Sequence, residues 1–290
     1  MAWKLNSVLS VGIRIISMVV LTATLADSQI EEQVRLASNE SASGSFFSHQ
    51  ISERNITDSM PLFWPSPIQP VYVPKKETTE RFHWKAAINE SLLFLAVEHL
   101  HRFGEEQDTR HDLRGPFSSD WFESVGNLRG WADGDEFYVN YIGHPMQGAV
   151  TGFIQIQNDP QGRGQVFHMG KEYWKSRSKA MLWATLYSVQ FEIGPISESS
   201  LGNVGLKPTS KSAHPQAYVD LVITPTLGTA WLIGEDAMDR YVVSRFERNT
   251  DNRLARLLLR SFANPCRSFS NMMRMKVPWY RDSRNAGVTW

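Results

Sequence analysis

The sequence predicts an all-α fold, a compact membrane-associated bundle of about five to seven helices. Apolar residues recur at helical spacing in several segments of about 15 to 20 residues, and Gly or Pro follows several of them. Strict alternation of apolar and polar residues, the pattern of half-buried strands, does not run far enough to build an extensive sheet. A transmembrane β-barrel is the alternative architecture.

The helical pattern divides the chain into segments that end at recognisable stops. Gly104 is expected to end the first helix, and Gly194-Pro195 the fourth. Gly148 and Gly152 are four residues apart, so they place two small residues on one helix face and predict close packing against another helix. The predicted helical segments are 84–103, 117–129, 137–157, 171–192, 217–233 and 251–263.

The N-terminal residues 1–26 have the features of a signal peptide. Lys4 supplies a positive charge, residues 8–25 are mostly apolar, and Thr24-Leu25-Ala26 offers small residues for cleavage. An uncleaved anchor is the alternative, but Arg14 divides the apolar stretch into pieces too short to span a bilayer. We therefore expect an exported protein, located in the periplasm or at the outer membrane.

Composition divides the remainder into a Pro/Ser-rich, disordered linker (27–82), the helical domain (83–265) and a basic C-terminal tail (266–290). The formal net charge of zero argues against a nucleic-acid partner. Residues 240–290 nevertheless hold eleven Arg and Lys against three acidic residues, an excess of eight positive charges. Such a segment is suited to contact with anionic lipid headgroups.

Residues 251–263 are predicted to form an amphipathic helix with arginines mostly on one face and four apolar residues on the other: Leu254, Leu257, Leu258 and Phe262. This pattern is consistent with a helix lying on a headgroup layer or with one docked on the protein core with its arginines outward. The single cysteine, Cys266, excludes an intramolecular disulfide and a cysteine-based zinc site, and we expect an inert thiol.

Three other polar features receive structural interpretations. The segment Trp131-Ala-Asp-Gly-Asp-Glu136 resembles a turn. Its acidic residues could hold Ca²⁺, but the remaining positions of a calcium-binding loop are absent, so we predict a turn. Asp236 and Arg240 are four residues apart, which predicts an ion pair on a helix surface. Arg177 is expected on a solvated helix face, although it also has the charge to bind phosphate.

Four ionisable residues within or beside the apolar segments are the candidate catalytic residues: His144, Glu192, Glu198 and Asp220. A buried carboxylate requires a partner, so packing of the three segments predicts that these groups converge. Three interpretations remain open: a divalent metal that activates water, acid–base catalysis by a His–carboxylate pair, and capping of helix ends. No cofactor and no particular metal follows from the sequence.

The same motifs resemble an uncharacterised bacterial envelope family, described as a domain of unknown function. Its members carry His-Pro, Glu-rich and Asp-Leu…Gly motifs in this order, which correspond here to 144–148, 191–198 and 220–228. The resemblance covers about residues 84–245 and extends remotely to VanZ-like helical membrane proteins. It implies an envelope location and a membrane-associated domain, and it emphasises His144, Glu192, Glu198 and Asp220 without implying an activity.

These observations predict an exported, membrane-associated envelope protein with a structural role or one that binds a lipid or another envelope component. The alternative is a hydrolase of lipid or envelope polymer that uses the His/Glu/Asp cluster, with or without a metal. Nothing in the sequence specifies the oligomeric state.

Overall fold

A computed structural model describes residues 80–105, 109–110, 115–201, 204–206 and 216–284. The predicted signal peptide and residues 27–79 of the predicted linker lie outside the described residues. Within the described ranges the chain forms seven helices of nine or more residues, two shorter helices and no strand. The prediction of an all-α domain is confirmed for this part of the chain.

The helices follow the predicted segments closely. Pro225 lies inside α6, which nevertheless continues as one helix to Met238. Two π-helical turns, Val139–Gly143 and Asp239–Val243, precede α3 and follow α6. The helices are α1 Trp84–Glu105, α2 Phe117–Gly126, α3 His144–Asn158, α4 Lys171–Ile193, α5 Glu198–Leu201, α6 Val219–Met238, α7 Ser244–Asn249, α8 Arg253–Phe262 and α9 Pro265–Met273.

Helix α3 is the centre of the bundle. It is buried on every side over most of its length, and it packs against α1, α4, α6 and α9. Its apolar residues, among them Phe153 and Ile154, share one core with Phe94 of α1, Tyr187 of α4 and Leu232 of α6. The three apolar segments that carry the candidate site residues are therefore mutual neighbours.

Helices α3 and α6 cross in backbone contact at Gly148 and Gly228. A Cβ atom on Gly148 would overlap the carbonyl oxygen of Thr224, and one on Gly228 would lie 2.8 Å from the Cα of Gly148. Only glycine fits at these two positions without separating the helices. Gly152, the second residue of the predicted motif, instead faces the side chain of Leu232.

The domain continues past the predicted boundary at residue 265. Helix α9 packs on α3 and α1 and contributes Cys266 and Met273 to the core. The backbone amides of Cys266 and Arg267 donate to the carboxylate of Glu235, at 2.9 and 3.0 Å, so an anion caps the positive end of α9. Cys266 is buried, and burial raises the pKa of its thiol well above the usual value, as expected of an inert thiol.

Several charged side chains of this domain are buried, and many apolar side chains are exposed. The largest fully buried side chains include Arg177, Arg260 and Glu192, whereas many large apolar side chains are exposed. On α1 the exposed apolar residues follow one stripe at four-residue spacing: Trp84, Ile88, Leu92 and Leu100. Among the described residues, no helix combines the length and the apolar character required to cross a membrane.

Candidate functional site

His144 begins helix α3 directly after a π-helical turn, Val139–Gly143. Such turns interrupt the regular helical ladder and occur frequently at functional sites. Pro145 follows within the continuous helix, and because it has no N–H it donates no backbone hydrogen bond to the preceding π-helical turn. The imidazole is directed into the bundle, where it meets Phe191 edge-on, and 10% of the side chain remains exposed.

Three helices bring His144, Glu192 and Asp220 together. Glu192 is on the last turn of α4 and Asp220 on the first turn of α6, and both are buried. Nδ1 of His144 lies 3.9 Å from Oε1 of Glu192, and Nε2 lies 3.3 Å from Oδ1 of Asp220. One nitrogen or oxygen from each residue lies within 4.8 Å of the other two. The predicted convergence is thus present for three of the four candidate residues.

Gln147 fixes the orientation of the imidazole. Its Nε2 donates to Oε2 of Glu98 at 3.3 Å, so its carbonyl oxygen faces Nδ1 of His144, at 3.2 Å. Because an amide oxygen only accepts, Nδ1 carries the proton, and Nε2 presents its lone pair to Asp220. A lone pair and a carboxylate oxygen at 3.3 Å repel one another unless a proton or a cation lies between them.

Two carboxylate oxygens in the cluster are buried without a hydrogen bond. Oε1 of Glu192 and Oδ1 of Asp220, the two atoms that face His144, accept none from any described residue. The other oxygen of Glu192 accepts from Nε2 of Gln216 at 3.3 Å. The Gln216 carbonyl accepts in turn from the hydroxyl of Ser199. The polar surroundings therefore hold Glu192 in place but leave one oxygen of each carboxyl free to bind a ligand.

A loop before α3 brings another carboxyl to Asp220. Asp133 forms a side-chain hydrogen bond with Asp220, and its Oδ1 accepts from Nδ2 of Asn140 and from the amide of Asp135, each at 2.9 Å. Two backbone hydrogen bonds, Arg129 to Gln216 and Tyr218 to Gly130, fasten this loop to the segment before α6. The predicted turn at 131–136 is therefore part of the cluster.

The acidic groups of the cluster hold their protons strongly. Burial, followed by the carboxyl of Asp133, raises the pKa of Asp220 to about 9. Burial, followed by the charges of Glu198 and Asp220, raises the pKa of Glu192 well above its usual value. Burial also opposes ionisation of Asp133, but its hydrogen bonds with Asp220 and Asn140 outweigh that effect and lower its pKa. Asp220 is thus the protonated donor and Asp133 the ionised acceptor.

Glu198, the fourth candidate, lies to one side. It begins α5 and forms an ion pair with Arg102 of α1. Its charge contributes to the raised pKa of Glu192 and Asp220, but it does not belong to the set that offers ligand atoms to one point. Glu198 therefore affects the pKa values of the cluster but is not one of its candidate ligands.

The cluster offers one nitrogen and two oxygens within 4.8 Å of one another, and one of these ligand–ligand distances has the size that a divalent cation requires. A metal at about 2.1 Å from an imidazole nitrogen and carboxylate oxygens places those ligand atoms about 3 to 3.5 Å apart. The distance of 3.3 Å between Nε2 of His144 and Oδ1 of Asp220 is of this size. A cation would also remove the repulsion between the facing acceptors and satisfy both unpaired oxygens.

A second group of buried charges surrounds the other end of α6, and it differs in that each carboxylate is paired with arginines. Oδ2 of Asp236 accepts from Nε and Nη2 of Arg177, at 2.8 and 2.6 Å, and from the Tyr173 hydroxyl, while Oδ1 contacts Arg267. Asp239 pairs with Arg281 and Arg284. The predicted surface pair of Asp236 with Arg240 is therefore wrong, as is the solvated position of Arg177. Both errors arise because Asp236 of α6 and Arg177 of α4 face each other in the core.

Four residues were not predicted to belong to the site, although Asp133 was noted as part of a turn: Glu98, Asp133, Gln147 and Gln216. Gln147 is three residues after His144, and that spacing places both side chains on one helix face. The other three reach the site from α1, from a loop and from the segment before α6, and no local pattern connects them with His144.

The chain was compared with models of protein families, with curated proteins and with solved structures, and none of them matches it. The resemblance to an envelope family therefore remains a prediction from the motifs.

Proposed function

We propose that this chain is a metal-binding protein that holds one divalent cation where α3, α4 and α6 meet. Nε2 of His144, Oε1 of Glu192 and Oδ1 of Asp220 are the ligand atoms. The observation that carries the proposal is the pair of buried, unpaired carboxylate oxygens that face one imidazole. Gln147 would act as the outer partner that fixes the tautomer of the histidine, as is usual for metal-bound imidazole.

Metal analysis of the purified full chain tests this proposal. The protein is treated with a chelator, dialysed against Zn²⁺ or Mn²⁺, freed of excess metal and analysed for bound metal. We expect one ion per chain for the wild type, and almost none for His144→Ala or Glu192→Gln. His101→Ala and Asp251→Asn are matched controls, because both residues are exposed and outside the cluster.

Metal content that does not differ between the cluster variants and the two controls would contradict the proposal. Circular dichroism of each variant establishes that it is folded, so that loss of binding is not confused with loss of structure. The choice between Zn²⁺ and Mn²⁺ is read from the two affinities, since one nitrogen and two oxygens accommodate either ion.

Hydrolysis is the second candidate function. Three protein ligands leave at least one coordination position for water, and a bound Zn²⁺ lowers the pKa of such a water to about 7. The cluster itself favours this candidate, since the part of the chain that the structure describes supplies three ligands and not the four of a closed structural zinc site. We expect the zinc-loaded protein to hydrolyse small nitrophenyl esters or phosphates, and His144→Ala to lose this activity. A metal-loaded protein without turnover would leave a binding role alone.

We also propose export to the cell envelope, with membrane lipid or another envelope component as the partner. The N-terminal sequence and the motif resemblance support this location. Cell fractionation, combined with N-terminal sequencing of the recovered protein, tests it. A mature chain that begins near residue 27 in the envelope fraction is expected, and an intact chain in the cytosolic fraction would contradict the proposal.

A further inference from the structure

Helix α8 is attached to the domain through Arg260, the buried arginine of its basic face. Arg260 is 2% exposed and pairs with Glu247, with Nη2 3.1 Å from Oε2. Asn252 caps the helix by accepting a hydrogen bond from the amide of Ala255 at 3.1 Å. Of the two orientations consistent with the sequence, the structure excludes docking of the apolar face on the core.

The apolar face of α8 consequently points to the solvent. Leu254, Leu258 and Phe262 are 64, 48 and 59% exposed. They are four residues apart, so they form one ridge of about 12 Å along the helix. An ordered helix that buries arginine and exposes its leucines indicates that the ridge contacts another apolar phase.

The surroundings of the ridge are basic. Arg245 and Arg248 are exposed on α7, the helix just before α8, and Lys276 is exposed after α9. Asp239 is buried and Glu247 half-buried against arginines, so the exposed carboxylate of Asp251 offsets only part of this charge at the surface. An apolar ridge beside exposed cations complements a layer whose surface is anionic and whose interior is apolar.

We infer that the Leu254–Leu258–Phe262 ridge inserts into the headgroup layer of an anionic phospholipid bilayer, with the neighbouring arginines on lipid phosphates. The inference identifies anionic phospholipid as the partner of the exported protein, and it rests on the proposed export to the envelope. It is independent of the metal site. Apposition of two copies through this face would bring two basic surfaces together, which repel one another, so charge favours the bilayer over a second copy.

A fluorescent label on the ridge tests the inference with the full chain. Cys266 is 1% exposed, so a polarity-sensitive dye attaches selectively to the cysteine introduced by Leu258→Cys. Vesicles of phosphatidylcholine and phosphatidylglycerol (3:1) are added, and vesicles of phosphatidylcholine alone serve for comparison. Leu100→Cys is the matched control, because Leu100 is equally apolar and exposed but lies on α1.

We expect the emission at position 258 to shift to shorter wavelength with the anionic vesicles, and the shift to weaken in high salt. The label at position 100 should not respond. Adding Leu254→Asp should weaken the vesicle affinity reported by the label at 258 at least about tenfold, because it replaces an apolar side chain that enters the bilayer with a carboxylate. Since the dye reports on residue 258 itself, vesicle binding through the apolar residues 8–25 does not produce this signal.

Three outcomes would overturn the inference. The first is no shift with either vesicle, and the second is an equal shift at position 100. The third is a shift that appears without vesicles and grows with protein concentration, which would identify a second copy as the occupant. Because the assay uses purified protein, its failure is distinguishable from failure of export, which only fractionation of cells reports.

Discussion

The two ends of helix α6 carry two buried polar clusters of opposite kinds. At the C-terminal end, Asp236 and Asp239 are each paired with two arginines. At the N-terminal end, Asp220 faces Asp133 and Glu192, and His144 is the nearest basic group. The helix and the solvent exclusion are the same at both ends, so the difference lies only in the partners.

This difference separates a structural network from a candidate site. A network in which arginines pair every carboxylate needs no further cation from outside the protein. A cluster that buries more acid than base must keep its protons or bind a cation. The raised pKa values of Asp220 and Glu192 describe the protonated cluster without a metal. The unpaired carboxylate oxygens indicate the cluster with a bound cation.

Breaking the arginine-paired network should have the largest effect on stability. Asp236→Ala leaves the buried Arg177 without its carboxylate, and we expect the free energy of unfolding to fall by about 3 to 5 kcal/mol in urea titrations. Asp251→Ala removes an exposed carboxylate whose partner Arg256 is 3.5 Å away, and it should change stability by less than about 1 kcal/mol. Similar losses in both variants would show that the buried pair is not structural.

Changes in the outer residues of the unbalanced cluster should affect metal affinity more than stability. Asp133→Asn removes the ionised partner of Asp220, and Gln147→Ala releases the imidazole. Loss of such outer partners typically lowers metal affinity by about 10- to 100-fold, and competition with a metal-sensitive dye measures this change. Unchanged affinity in both variants would remove these residues from the site.

The two ends of α6 should also respond to pH in opposite directions. Burial raises the pKa of Glu98, beside the unbalanced cluster, to about 8, from 4.5. Its folded state therefore holds a proton that the unfolded chain releases, so its contribution is complete below pH 4.5 and is lost as the pH rises to about 8. Burial opposes ionisation of Asp239, but Arg267, Arg281 and Arg284 lower its pKa well below 3.8, so its contribution is lost as the pH falls below that value.

Glu192 and Asp220 also have raised pKa values and contribute to the pH dependence between pH 5 and 8, so the Glu98 contribution is obtained as the difference in slope between the wild type and Glu98→Gln. We expect the wild type to lose at most about 1.4 kcal/mol per pH unit through this group, and Glu98→Gln to remove that part of the slope. An identical slope in the variant would show that Glu98 ionises normally in the folded protein.

The sequence predicts the helices better than it predicts their partners. Helical spacing located α1, α3, α4 and α6 within a few residues, because a buried stripe requires that spacing. The close approach at Gly148 followed from the absence of a side chain, but its partner, Gly228 of α6, depends on how two helices cross. No local rule supplies that information.

The candidate site shows the same limit. His144, Glu192 and Asp220 were recognisable because ionisable residues in apolar segments require partners. Glu98 and Asp133 were not, since a charged helix residue and an acidic turn are both ordinary surface features. The amphipathic pattern of α8 gave its two faces but not their orientation, which depends on the salt bridge between Arg260 and Glu247.

The smallest expected change in the free energy of unfolding tests most directly whether the two polar clusters at the ends of α6 differ. In metal-free protein at neutral pH, Glu192→Gln and Asp220→Asn replace carboxyls that already hold their protons with neutral groups of the same shape. We therefore expect the free energy of unfolding to change by less than about 1 kcal/mol, or to rise, whereas the matched Asp236→Asn should destabilise the domain. A loss of 3 kcal/mol or more from either cluster variant would mean that its carboxylate is ionised and structurally paired. The two ends of α6 would then be alike.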